Sequence, residues 1–168
     1  MVTEAGGPEQ PRRSRILVIE DSEDIRYLLD GLLKAHYDVL LAASGDAGLA
    51  LAGSVQRPDI ILLDVMMPDM DGYEVLRRLG ADARTADIPV IFLTALGSVE
   101  AEHRGLDLGA TDYVAKPISA PVLLARLKLH LERSADVGKS RGAKRQRLGV
   151  VGLPTLVFGA QIEGSRML

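Results

Sequence analysis

Acidic side chains follow two apolar runs of this sequence, at the point where each run ends. Glu20 and Asp21 come directly after the run ILVI at 16–19, and Asp64 comes directly after IILL at 60–63. Clustered carboxylates repel one another unless a cation lies among them, and Mg²⁺ prefers hard oxygen ligands together with phosphate oxygens. A carboxylate can also act as a nucleophile that accepts a phosphoryl group. The three acids therefore predict Mg²⁺-dependent phosphoryl chemistry, provided that the fold brings them together.

Two further polar residues end apolar runs in the second half of the chain. Thr94 follows VIFL at 90–93, and Lys116 follows YVA at 113–115 and precedes Pro117. A lysine ammonium neutralises phosphoryl oxygens as a point charge. A threonine hydroxyl at a strand end can also bond only to nearby backbone, and an exposed lysine is usually just solvated. Neither residue is decisive without the acids.

The order of the elements would bring these polar residues to one edge of a sheet. The apolar runs are typical of strands buried on both faces, and helical apolar spacing separates them. Five such repeats with short connections predict an α/β fold, a doubly wound five-stranded parallel sheet of the flavodoxin-like order 2-1-3-4-5 with helices on both faces. Ligands of such sheets bind at the carboxyl ends of the strands, and the switch point falls between strands one and three.

Strand and helix bounds follow from periodicity and from capping residues. Beyond the runs already given, strands are predicted at 39–43, 59–63 and 112–115. Helices are predicted from the acidic turn after Asp21, at 46–52, from Asp71 or Gly72, at 98–108, and from Ser119. The first helix is expected to bury one stripe made of Ile25, Leu28, Leu29, Leu32 and Leu33.

Composition limits the classes of protein to which the chain can belong. The 168 residues carry a net charge of −3 and no cysteine, so disulfides and thiolate metal sites are excluded, and no global basic field attracts nucleic acid. No apolar run approaches the roughly 18–20 residues of a membrane span, and the N-terminus lacks the apolar core of a secretory signal. We expect a cytoplasmic protein that does not contact a membrane. The three histidines, His36, His103 and His130, are expected at the surface.

Taken together, the motifs closely resemble the receiver domain of two-component response regulators. The resemblance rests on IEDSED, LLDVMMPDMDGYEVL, PVIFLTA and GATDYVAKP, in this order. It covers 15–133 and implies a receiver domain there, similar to chemotaxis regulators. This receiver is expected to be the single domain of the chain. A flexible N-terminal tail at 1–14 and a basic linker with a short apolar C-terminal tail at 134–168 would complete the chain.

The resemblance also implies a Mg²⁺ site. Asp21 and Asp64 would bind the ion directly, Glu20 would act through water, and the backbone carbonyl of Met66 would supply another ligand. The family often has Asp at the position of Glu20, so the longer side chain here is a departure that affects the coordination.

Catalytic and switch residues follow from the same resemblance. Asp64 would be the phosphoacceptor, with Lys116 and Thr94 assisting the transfer. Thr94 and Tyr113 would form the switch pair that reports phosphorylation, and the bond between Lys116 and Pro117 would be cis.

The function implied is that of a signalling protein rather than an enzyme with an external substrate. A histidine kinase or a histidine phosphotransfer protein would supply the phosphoryl group, with Mg²⁺-dependent self-phosphorylation and autodephosphorylation at Asp64. Helix four, strand five and helix five would form the face that binds a downstream protein effector, and a phosphorylation-dependent homodimer is a further expectation. Direct contact with nucleic acid is not expected.

Three other classes of function remain open on the sequence. A phosphohydrolase with an aspartyl-phosphate intermediate typically needs a second acid two residues after the nucleophile, where this chain has Met66. A DNA-binding regulator could use the basic linker on phosphates, but no helix-turn-helix pattern follows Arg133. A degenerate receiver that only docks would not need the intact set of acids and lysine.

Overall fold

Five strands alternate with five helices in the computed structural model, which describes residues 11–95 and 99–147, with the backbone alone for 99–102 and 138–147. The strands are β1 (Arg15–Ile19), β2 (Asp38–Ala42), β3 (Ile60–Asp64), β4 (Val90–Ala95) and β5 (Asp112–Lys116). The helices are α1 (Glu23–Leu33), α2 (Gly45–Ala52), α3 (Gly72–Ala81), α4 (Val99–Asp107) and α5 (Ala120–Arg147). All strand pairs are parallel and the order is β2-β1-β3-β4-β5, so the predicted fold is confirmed.

The register of the sheet places the ends of the central strands at one level. Ile19 is paired with Leu63, so that Glu20 and Asp64 follow side by side at the carboxyl edge. Lys116, the last residue of β5, is paired with the last residue of β4 at the same edge. The predicted switch point between β1 and β3 therefore carries the acidic residues.

Alternate strand residues bury their side chains on opposite faces of the sheet. One face packs against α2 and α3 and includes Leu17, Ile19, Ile61, Leu63 and Phe92. The other face packs against α1 and α5 and includes Ile16, Val18, Leu62, Leu93, Leu123 and Leu127. Because both faces are covered, the strands read as continuous apolar runs, and only their ends are free to carry polar groups.

The buried stripe of α1 is narrower than predicted. Leu29 and Leu33 are fully buried, and Ile25 and Leu32 are partly buried against the core. Leu28 is 50% exposed, so its assignment to the stripe was wrong. At 100° per residue, the stripe centred on Leu29 leaves Leu28 at its margin.

The connection from β3 to α3 is held close to the strand end. Asp71 caps α3 by accepting a hydrogen bond from the Glu74 amide at 2.9 Å. Gly72 passes so near β3 that a Cβ atom on it would lie 2.4 Å from the backbone oxygen of Asp64. Glycine at this position therefore allows the loop to lie beside the acidic edge.

Helix α5 is longer than the sequence patterns indicate. It runs to Arg147, through the segment predicted as a basic linker, although Gly138 and Gly142 lie within it. Alanine, lysine, arginine and glutamine favour helix strongly enough to offset two glycines. The chain divides into two units after Ser134, and the sheet belongs to the first. The predicted receiver, linker and tail bounds stay a prediction, and the tail residues 1–10 and 148–168 lie outside the described residues.

Candidate functional site

Three carboxylates meet at the carboxyl edge of β1 and β3. One oxygen from each of Glu20, Asp21 and Asp64 lies within 4.8 Å of the other two. Glu20 is 1% exposed and Asp64 is 4% exposed, whereas Asp21 faces solvent. Three hard oxygens, two of them shielded and one open, match the ligands that Mg²⁺ prefers in proteins. The residues therefore fit a divalent cation that also contacts groups from solution.

Lys116 supplies the positive charge that partly offsets these acids. Its Nζ donates to Glu20 Oε2 at 2.9 Å and to Asp64 Oδ1 at 3.0 Å. Burial alone would lower the pKa of the Lys116 ammonium, but its hydrogen bonds to the two carboxylates outweigh burial and raise that pKa. Lys116 is therefore held as a cation between the two buried acids.

Burial dominates the acidity of Glu20. It raises the pKa of the Glu20 carboxyl above its ordinary 4.5, against the lowering effect of hydrogen bonds from Lys116 and from the Ser22 amide. The negative charge of Asp64 adds to the upward shift. A neighbouring cation therefore favours the ionised form of this buried carboxyl.

The two oxygens of Asp64 differ in their partners. Oδ1 accepts from Lys116 and, at 3.4 Å, from the Met66 amide. Oδ2 accepts no hydrogen bond from the described part of the chain. In that part no fully buried side-chain oxygen lacks a partner, so Oδ2 is not fully buried. Although Asp64 is only 4% exposed, Oδ2 is therefore the oxygen that no donor of the described residues engages.

The remaining predicted residues lie around this cluster in different ways. The Thr94 hydroxyl donates to the Ala95 carbonyl at 3.1 Å rather than to an acid of the site. Tyr113 lies partly buried on β5, next to Phe92 in the register. The predicted cis bond between Lys116 and Pro117 is confirmed. The backbone carbonyl of Met66 remains a predicted ligand, and the Met66 side chain is 77% exposed.

A second charged cluster, which the sequence analysis missed, lies at the start of β5. The Asp112 carboxylate accepts from His130 Nε2 at 2.8 Å, from Arg126 Nη1 at 2.8 and 3.0 Å, and from the Tyr113 amide at 2.8 Å. Burial would raise the pKa of Asp112, but the hydrogen bonds from His130, Tyr113 and Arg126 together hold it below 3.8.

His130 therefore corrects the expectation for the histidines. His36 and His103 are exposed as predicted, but the side chain of His130 is only 7% exposed. The signal was present in the sequence, because His130 follows Leu123 by seven residues and Leu127 by three, on the buried face of α5. None of the described histidines approaches the three carboxylates as a further metal ligand.

These features define a class of protein, the doubly wound α/β domains with an acidic cluster and a lysine at the switch point. The family model of the response regulator receiver domain matches residues 16–128. The chain belongs to the response regulator receiver family and is a component of two-component signalling. The family resemblance seen in the sequence is thus confirmed.

The curated relatives that match this chain are longer proteins. The chain is 44% identical over 144 residues to the DNA-binding dual master transcriptional regulator RpaA of Synechocystis, covering 85% of this chain and 58% of that protein. It is 41% identical over 141 residues to response regulator PleD of Caulobacter vibrioides, covering 82% of this chain and 31% of PleD. The chain thus spans less than two thirds of the length of these relatives. Because RpaA is named as DNA-binding, the absence of nucleic-acid contact in this chain stays a prediction.

Solved structures of receivers have the same fold. Chemotaxis protein CheY4 of Vibrio cholerae matches with a TM-score of 0.64 and 33% identity, over 68% of this chain and 96% of CheY4. The receiver domain of a LuxO-type repressor from Vibrio parahaemolyticus matches with a TM-score of 0.70 and 31% identity, over 76% of this chain and 97% of that one. None of the helices that the structure describes combines the length and apolar character of a membrane span.

Proposed function

We propose that this chain is a phosphorylation-controlled signalling switch in which Asp64 accepts a phosphoryl group from a histidine kinase or a histidine phosphotransfer protein. The observation that carries the proposal is the arrangement of Asp64, with Oδ1 held by Lys116 and Oδ2 without a hydrogen-bond donor among the described residues. A carboxylate oriented by one oxygen, with the other not engaged, is suited to nucleophilic attack. The proposal includes a cytoplasmic location, where such kinases present their phosphohistidine.

The transfer is an in-line displacement at phosphorus. Asp64 Oδ2 forms the new P–O bond while the P–N bond to the donor histidine breaks, and the imidazole nitrogen leaves with the bonding electron pair. Lys116, which already lies 3.0 Å from the other Asp64 oxygen, offsets negative charge on the phosphoryl oxygens. Water then hydrolyses the aspartyl phosphate, which releases inorganic phosphate and restores the free Asp64 carboxylate.

The acidic cluster is the part of this site that would hold Mg²⁺. Glu20, Asp21 and Asp64 would hold the ion, with the Met66 carbonyl as a further oxygen, and when bound it neutralises negative charge on the phosphoryl oxygens. Asp21 contributes an exposed carboxylate that can contact an ion without displacing Lys116.

Labelling by a small phosphodonor tests the proposal. Wild-type protein, Asp64→Asn and Asp87→Asn are incubated with acetyl phosphate, with Mg²⁺ or with a chelator, and intact mass is measured. We expect one phosphoryl group on wild type and on Asp87→Asn, in the presence of Mg²⁺ only, and none on Asp64→Asn. Asp87 is a matched control because it is an exposed aspartate that pairs with Arg57 at the surface. Full labelling of Asp64→Asn would refute the assignment.

We further propose that phosphorylation changes partner binding through the face formed by α4, β5 and α5. Exposed apolar side chains support this choice, because Leu106 and Leu108 near the end of α4 and Val122 and Leu129 on α5 are each at least 41% exposed. Large apolar side chains that are left exposed are candidates for a protein contact. A downstream effector or a second copy of the chain would bind here.

Thr94 and Tyr113 connect the site to that face in the proposal. The Thr94 hydroxyl now donates to a neighbouring carbonyl, and a phosphoryl group on Asp64 offers it a stronger, charged acceptor. Val65, Phe92 and Leu106 line a small cavity together with Thr94 and Tyr113. In the proposal, Tyr113 turns inward to fill the space that Thr94 vacates when its hydroxyl moves to the phosphoryl group. Phosphorylation of Asp64 can shift the equilibrium between two conformations only if the phosphoryl group interacts differently with each of them.

Hydrogen exchange with and without beryllofluoride tests this second part. We expect changes in protection to cluster on α4, β5 and α5 in wild type, and to be much smaller in Thr94→Ala, although that variant still accepts the phosphoryl group. Changes centred on α1 and α2 would show that the output face has been assigned wrongly.

A further inference from the structure

Arg26 of α1 lies against the turn that carries Glu20 and Asp21. Its Nη1 donates to the backbone carbonyl oxygens of both acids, at 2.8 Å each. The two carbonyls stand on either side of the Asp21 Cα, so one nitrogen holds both peptide groups that flank this residue. We propose that Arg26 is a positioning residue that sets the Mg²⁺ affinity of the site through the backbone of Asp21, an inference that rests on the function proposed above.

Asp21 depends on such support because its own side chain has none. Among the described residues, no group donates a hydrogen bond to the Asp21 carboxylate, and the residue is exposed. Glu20, in contrast, is held by the Ser22 amide at 3.1 Å and by Lys116 at 2.9 Å. An exposed side chain samples several rotamers, and its preferred direction is set largely by its backbone angles. Fixing both flanking peptides is thus the main way in which this fold orients Asp21.

Helix α1 holds Arg26 rigidly enough for this task. Arg26 precedes Leu29 by three residues and Leu33 by seven, and both leucines are fully buried. The Arg26 amide also donates to the Ser22 carbonyl at 3.0 Å, in the first turn of the helix. The backbone of Arg26 is therefore held against the core by the buried leucines of α1. The two hydrogen bonds of Nη1 connect the turn at Asp21 to this anchored backbone.

Two physical roles for Arg26 predict opposite effects on Mg²⁺ binding. If the guanidinium acts only through its charge, its removal takes a cation away from a cation site, and Mg²⁺ binds more tightly. If it acts by positioning Asp21, its removal loosens a ligand, and Mg²⁺ binds more weakly. Loss of an outer-shell partner typically weakens metal binding about 10- to 100-fold. The sign of the change therefore separates the two roles.

The experiment compares Arg26→Gln with Arg78→Gln in the full chain. Glutamine removes the charge and is too short to hold both carbonyls, whereas Arg78 pairs with Glu74 on α3, away from the acidic edge. Mg²⁺ affinity is measured by calorimetric titration at fixed ionic strength, and folding is checked by circular dichroism. We expect binding about 10-fold weaker in Arg26→Gln and unchanged in Arg78→Gln. The labelling rate with acetyl phosphate should return to nearly the wild-type value at saturating Mg²⁺.

Arg26→Lys keeps the test decisive if the glutamine variant fails to fold. A lysine keeps the charge and offers three donors on a flexible stem, so it should hold the turn less firmly than arginine. The Mg²⁺ affinity of Arg26→Lys should therefore lie between those of wild type and Arg26→Gln. Where Arg26→Gln cannot be measured, Arg26→Lys should bind Mg²⁺ more weakly than wild type. The positioning role would be overturned if Arg26→Gln bound Mg²⁺ as tightly as wild type or more tightly. If only Arg26→Lys folds, the same result for that variant would overturn it. A wild type that binds Mg²⁺ but is not labelled on Asp64 would refute the phosphoacceptor function alone. A wild type that binds no Mg²⁺ would refute both.

Discussion

Replacing Asp112 with alanine should destabilise the fold more than loss of an ordinary surface acid. The Asp112 carboxylate joins α5 to the start of β5, since it accepts from His130 and Arg126 on the helix and from the Tyr113 amide on the strand. Alanine removes all of these acceptors at once. It also leaves His130, whose side chain is 7% exposed, beside an apolar methyl group.

The size of the effect follows from the exposure of each partner. A buried polar group left without a partner costs about 1–3 kcal/mol, and loss of an ordinary hydrogen bond costs about 0.5–1.5 kcal/mol. The cost of an unpartnered buried group applies to His130, and the cost of an ordinary lost hydrogen bond applies to the Tyr113 amide. Arg126 is 47% exposed and returns to water at little cost. We therefore expect Asp112→Ala to lower the free energy of unfolding by about 3 kcal/mol.

Urea denaturation followed by far-UV circular dichroism measures this loss. The matched control is Asp87→Ala, because Asp87 pairs with Arg57 on the surface, where both side chains are at least 44% exposed. An exposed pair of this kind contributes less than about 1 kcal/mol. If Asp112→Ala loses no more stability than Asp87→Ala, the Asp112 cluster does not hold β5 to α5 as argued.

The pH dependence of the same cluster has a defined sign. The pKa of Asp112 is lowered below 3.8 in the folded protein, so its ionised form contributes stability that is fully present above pH 3.8. That contribution is lost as the pH falls from 3.8 through the lower folded-state pKa. The stability difference between wild type and Asp112→Asn should therefore shrink as the pH falls below 3.8. A difference that instead grows on acidification would contradict the assigned direction.

Three further predictions concern the metal ligands, the loop and the core. Asp21→Ala should weaken Mg²⁺ binding more than Glu20→Ala, because a direct ligand loses more than one that acts through water; a Mg²⁺ titration showing equal losses would reverse that assignment. Gly72→Ala should destabilise the protein by about 1–3 kcal/mol in urea, since its Cβ would lie 2.4 Å from the Asp64 backbone oxygen. Leu123→Ala, at a fully buried position, should cost about 2–5 kcal/mol in the same assay, and a cost below that range would indicate a core that closes around the gap.

The acidic site could be predicted because its parts follow local rules. Apolar runs identify the buried strands, and the rule for parallel sheets places the residues after them at a common edge. Glu20 and Asp64 therefore came together without any knowledge of side-chain contacts. The strand order also places Lys116 at this edge, but its hydrogen bonds to both acids depend on side-chain placement, which the sequence does not specify.

Contacts that depend on tertiary placement escaped prediction. The partnership of Asp112 with His130 joins residues 18 positions apart on a strand and a helix, and no short-range pattern specifies it. The direction of the Thr94 hydroxyl depends on a side-chain rotation that sequence does not fix. The end of α5 was misjudged for a different reason, since Gly138 and Gly142 indicated a break that the surrounding helix formers override.

The link between Lys116 and Glu20 has a consequence for how this protein is made. The two residues are 96 positions apart, and they meet only when the last strand has joined a sheet whose other members precede it in the chain. Loops of that length close late in folding, because their entropy must be overcome before the contact contributes. A nascent chain with β1 and β3 paired but β5 absent therefore has acids without a counterion. The charge balance of the acidic cluster is thus completed only when β5 joins the sheet, and a chain whose β5 is missing or displaced lacks it.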